Sequence, residues 1–138
     1  MKFARLSLAC AGLLAALASA PAVSQDFLPE PMRYDGLTVI NGGVGEEADA
    51  IKRVAGDYRV RIEISGRGGA YYVADSLTIT QGDNVVATIP DAGPWLLMDL
   101  PAGQYTLRGN FDGTPVTRNI SVPARGTTVH WVVPSFLN

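Results

Sequence analysis

The chain has 138 residues, 47% of them hydrophobic and 17% charged, with a formal net charge of −2. Two of its 11 basic residues and none of its 13 acidic ones fall within the first 24, so the remainder carries nine positive against 13 negative charges, a net −4. That balance argues against nucleic-acid binding and against adhesion to an anionic membrane, and the length fits one domain with a sizeable core.

Met1–Arg5 carries two positive charges, and Leu6 to Ala20 is then apolar and small. Small residues at cleavage spacing follow, so residues 1–24 are expected to be a secretory signal peptide, cut after Ser24 or Ala20. The run is shorter than the roughly 18–20 residues a membrane-spanning helix needs, and no retained membrane span is expected. Cys10, the single cysteine, lies inside this leader. The processed chain would then be periplasmic or secreted and held by its core alone, without disulfides.

Residues 25–36, with Pro29 and Pro31, read as an extended lead-in, and the domain is expected over residues 37–134. Leu37 to Ile40 is a short strand closed by Asn41-Gly42-Gly43. Glu46 to Ala55 is the one helix: Ala48, Ile51 and Ala55 recur at helical spacing. Acids fill its first turn and Lys52 and Arg53 its last, both favourable to the helix dipole, and Asp49 can pair with Arg53 four residues on. Gly56 is its expected stop.

The period then falls from 3.6 to 2. Tyr58, Val60, Ile62 and Ile64 alternate with Arg59, Arg61, Glu63 and Ser65, the clearest strand of the chain. After Gly66–Gly69, Tyr71 to Gln81 reads as a strand with Val73, Leu77 and Ile79 on one side. Val85 to Ile89 returns it, and residues 90–94 form a loop. Trp95 to Leu100 is apolar nearly throughout, as in a strand covered on both faces. Tyr105 to Phe111 and Val116 to Val122 flank Asp112-Gly113, a strong hairpin signal. Thr127 to Val133 is the last strand. Even spacing and Gly/Pro turns predict an all-β fold, a seven- to eight-stranded antiparallel β-sandwich with one short helix near the N-terminus.

From Tyr71 onward the chain resembles the carboxypeptidase regulatory-like (transthyretin- or prealbumin-like) domains. The likeness rests on Tyr72-Val73-Ala74-Asp75, Gly93-Pro94, Leu100-Pro101-Ala102-Gly103-Gln104-Tyr105 and Asp112-Gly113. Its centre is leucine-proline-x-glycine-x-tyrosine entering a strand, with Tyr105 delivered to a sheet corner. With Asn41–Glu46 and the helix in front, the whole is similar to small secreted proteobacterial proteins of that type. The resemblance implies a sandwich that supports, presents or binds, and seldom catalyses; fold alone does not assign function.

No chemical constellation competes with that reading. His130 is the only histidine, and a zinc site lacks ligands. A Gly-x-Ser-x-Gly elbow is missing. The transthyretin-like hydroxyisourate hydrolases use several histidines and a tyrosine-arginine-glycine-serine end, whereas this chain ends Val133–Asn138. Glu46, Glu47, Asp49, Asp83 and Asp91 do not form a calcium loop, and Gly42–Gly45 lacks the lysine of a phosphate loop. Lys52 is expected on the helix rather than in a core where it would form an isopeptide bond. Neither cofactor nor metal is expected, and no enzymatic activity.

The expected function is therefore a non-enzymatic module that binds or supports a cell-envelope protein or glycan. The alternatives are a carbohydrate-type small-ligand protein with a pocket lined by Trp95 or Trp131, and a hydrolase of unfamiliar design using Asp75, Asp91 or Glu46. Tyr105, Phe111 and Trp131 are expected in the core. Asn41, Glu46, Tyr71, Asp91 and Trp95 are the candidate binding residues. They sit on three loops (41–47, 66–71 and 91–95) that would make an acidic, aromatic-edged surface if they met at one end of the sandwich.

Overall fold

The structure, a computed structural model, describes residues 27–134. The expected leader, its two cleavage points and Cys10 lie outside the described residues, as do 25–26 of the lead-in and 135–138. Among the described residues no helix is long and apolar enough to cross a membrane.

Among the described residues nine strands form two sheets. The first has the order β1 (Met32–Tyr34), β2 (Leu37–Gly42), β6 (Trp95–Met98), β3 (Val60–Gly66), β9 (Thr127–Val133). The second has the order β5 (Asn84–Ala92), β4 (Ala74–Gln81), β7 (Gly103–Phe111), β8 (Thr114–Val122). Helix α1 (Glu46–Val54) and a 3₁₀ turn (Ala55–Asp57) join β2 to β3. The fold is thus mostly β, in two sheets with one short helix.

Alternation in the strands builds the core between the sheets. Val60, Ile62 and Ile64 of β3, Leu96 and Met98 of β6, and Val129 and Trp131 of β9 meet Leu77, Ile79, Ile89, Leu107 and Ile120 of the second sheet. Tyr105 and Phe111 are buried there too. The Tyr105 hydroxyl donates to the Pro101 carbonyl at 2.7 Å, so the ring seals the corner that its own turn creates. Phe111 meets Trp131 edge to face, centroids 5.8 Å apart.

The strand boundaries differ from the sequence expectation in several places. The lead-in contributes β1, because Asp35 and Gly36 both take positive φ (51° and 92°) and close a two-residue hairpin with β2. The chain from Tyr71 does not enter β4 directly. Tyr71 bridges Ser65, and the Tyr72 amide donates to the Ile64 carbonyl, so the pair extends β3 before Ala74 switches sheets. Val73 lies in that crossing and is exposed, not inward. β5 runs through Pro90 to Ala92, tolerated because β5 is an edge strand with no partner for the missing N–H. β9 pairs parallel to β3, from Val60↔Thr127 to Gly66↔Val133, where an antiparallel sandwich was expected. The Pro123–Gly126 turn carries the chain from one sheet to the other, and alternation sets faces, not direction. The helix ends at Val54, and Gly56 lies inside the 3₁₀ turn. Asp49 and Arg53 do not form an ion pair among the described residues.

Gly109 sits beneath the Phe111–Trp131 pair: a Cβ there would lie 2.7 Å from Phe111 Cε2 and 3.0 Å from Trp131 Cη2. Gly109→Ala is expected to overpack this layer and cost about 1–3 kcal/mol, measured by urea unfolding; an unchanged midpoint would contradict the packing described.

Candidate functional site

The three candidate loops do meet, at the end of the first sheet where β2 and β3 finish and β6 begins. Their junction is built on Trp95. The register pairs Gly42 with Trp95 and Trp95 with Glu63, so the indole points away from the sandwich interior. That outer face is covered: Ile40, Ile51, Trp95 and Leu97 form a second apolar cluster beneath α1.

Trp95 is only 1% exposed. It supports the site and is not its contact surface. Its ring lies 4.4 Å from the Arg61 guanidinium carbon and 5.2 Å from Lys52 Nζ, placing two cations against one π-face system. Gly43 completes the enclosure, with φ of 106° and a Cβ position only 2.6 Å from Trp95 Cδ1. Only glycine serves there, on both counts. Trp95 Nε1 is buried and has no acceptor among the described residues.

Asn41 ties the second loop down. Its Nδ2 donates to the Asp91 carbonyl at 2.9 Å, with a longer contact to the Pro90 carbonyl, and its Oδ1 accepts the Gly93 amide at 2.7 Å. Asn41 is thus a clamp between β2 and the β5–β6 connection. Asp91 stands exposed with positive φ (47°), held by its backbone while its carboxylate faces solvent. Glu46 is exposed in the first turn of α1. It is Glu47 that turns back, its Oε1 accepting the Gly43 and Val44 amides and fixing the loop before the helix.

Tyr71 is the exposed aromatic of the junction, 53% accessible. Its ring meets Trp95 edge-on, centroids 6.2 Å apart. Beyond it, the outer face of β3 and β9 carries Glu63 and His130. Glu63 Oε2 accepts from Arg61 Nη2 at 2.8 Å and Nε at 3.1 Å, and His130 Nδ1 stands 3.7 Å from the same oxygen. The His130 side chain is 68% exposed and shares its face with Thr128 and Val132. Among the described residues no three His, Cys, Asp or Glu side chains gather as a metal site. Trp131, like Trp95, is buried.

Sequence reasoning missed Arg61 and Lys52 as partners of Trp95, and Asn41 as a clamp. The available signal was Trp95–Met98 itself. A strand buried on both faces demands a cover for its outer side, and the preceding helix, with Ile51 on its apolar face, supplies it. No protein-family model matches this chain, and no curated protein shows significant similarity to it.

Replacing Asn41 by Ala leaves the buried Gly93 amide without an acceptor and frees residues 90–93. A loss of about 1–3 kcal/mol in urea unfolding is expected, with a smaller loss for Asn41→Asp, which keeps the acceptor. Equal losses for both variants would contradict the clamp.

Proposed function

We propose that this protein is a non-enzymatic binding module, exported by its leader and working in the periplasm or outside the cell. In this reading it is a carboxypeptidase regulatory-like sandwich that engages a cell-envelope protein or glycan through the loop junction at one end of its first sheet. The observation that carries the proposal is Tyr71: an exposed ring bridged to Ser65 and braced edge-on against a buried tryptophan, beside two loops pinned by Asn41 and Glu47. A pre-positioned aromatic loses little conformational entropy on binding and offers apolar area with a hydroxyl at its tip. Asp91 and Glu46 stand exposed at the same end, beside the Lys52 and Arg61 cations on Trp95, a charged rim of both signs that favours a polar or hydroxyl-rich counterpart. The resemblance in the Leu100–Tyr105 segment points the same way, toward presentation and support.

A photo-crosslinking amino acid at Tyr71, in intact cells, tests the assignment against the same group at Val85, an exposed position on the second sheet. A discrete adduct is expected from position 71 alone, lost on Asp91→Lys. Identical adduct patterns from both positions would overturn it. Tyr71→Ala should remove the interaction while costing only about 1 kcal/mol of stability, the scale of one edge-to-face contact.

A further inference from the structure

At the opposite end of β3 from Tyr71, a cleft of about 340 Å³ opens between the end of α1 and the β8–β9 turn. Arg59, Arg61 and Arg125 line it, together with Tyr58, Thr127 and Thr128. No carboxylate is among its lining residues. Arg61 is paired with the Glu63 carboxylate and stacked on Trp95, so the uncompensated positive charge of the cleft comes from Arg59 and Arg125.

Two of the three are pre-positioned. Arg59 Nη1 donates to the Leu100 carbonyl at 3.2 Å and its Nε to the Ala124 carbonyl at 3.3 Å. These acceptors are neutral, so they orient the guanidinium without cancelling its charge, and they leave its Nη2 hydrogens unspent. The Asp99 carboxylate accepts the Arg59 backbone amide at 2.8 Å and makes no bond to its guanidinium. Arg61 is held by Glu63 through Nε and Nη2 and lies over Trp95, which leaves Nη1 free. Arg125 stands exposed at the rim. The floor is fixed by the Thr127 amide, which donates to the Arg59 carbonyl at 2.8 Å, and the end of the helix is tied in by the Tyr58 amide on the Ala55 carbonyl.

We propose that this cleft binds a tetrahedral oxyanion, a phosphate group free or carried on a sugar-sized polar molecule. Guanidinium forks match phosphate oxygens, and fixed forks lose little freedom in meeting them. The hydroxyls of Tyr58, Thr127 and Thr128 line the same cleft and suit the hydroxyls of a carrier. The cleft shares Arg61 with the Trp95 junction, but the proposal rests on Arg59 and Arg125 and does not depend on the function proposed for that junction.

The test is a titration of the full-length mature protein followed by amide NMR at low ionic strength, with inorganic phosphate, glucose 6-phosphate and glucose as probes. Shifts at Gly126, Thr127 and Thr128 are expected with both phosphates by about 10 mM. Arg125→Ala, an exposed change that leaves the Arg59 contacts intact, should weaken them about tenfold, and Arg67→Ala, outside the cleft, should not. Tighter binding of glucose 6-phosphate than of phosphate assigns the sugar-borne group, and equal binding assigns the free ion. Absence of shifts with either phosphate, equal shifts with glucose, or full binding by Arg125→Ala would overturn the proposal.

Discussion

Strand β6 is four residues long and carries the architecture on both of its faces. Leu96 and Met98 enter the core between the sheets, while Trp95 and Leu97 enter the layer beneath α1. It also hydrogen-bonds β2 on one side and β3 on the other. A polar side chain at any of its four positions would be stranded without water on either face, at a cost of several kcal/mol. The short helix depends on the same contacts: nine residues do not hold a helix in water, and Ile51 against Trp95 and Leu97 supplies the packing it lacks.

This double burial explains why the candidate loops converge. Trp95 opens β6 directly after the Gly93-Pro94 connection, so whatever touches the indole is brought to the end of the sheet. Gly43 must approach it for α1 to seat, Arg61 and Lys52 cover its face, and Tyr71 leans on its edge. Among the described residues the buried Nε1 has no acceptor, a cost offset by two cations on a ring shielded from water. Cations that would otherwise be ordinary surface charges thereby acquire fixed positions. Arg61 in particular links the Trp95 junction to the arginine-lined cleft at the other end of β3.

Much of the sandwich was legible in the sequence, where a local pattern has a single physical solution. The Val60–Ser65 alternation becomes the central β3, Asp112-Gly113 becomes the β7–β8 hairpin, and the unbroken apolar run from Trp95 becomes a strand covered on both faces. Features decided by long-range geometry were not legible. Nothing in Thr127–Val133 tells whether β9 runs with or against β3. A three-residue edge strand such as β1 carries too little pattern to stand out beside two prolines. At the site, Asn41 and Trp95 were found as residues and not as roles. An asparagine before two glycines reads as a turn, and only the fold brings it to Gly93, more than fifty positions later.

The central claim, that β6 is locked between two apolar layers, is tested most directly by native-state hydrogen exchange at the amides of Trp95–Met98. The account predicts that they exchange only through global unfolding, with the same free energy as the β3 amides and more slowly than those of the edge strands β1 and β5. Exchange of β6 through local opening, at rates matching those edges, would contradict it.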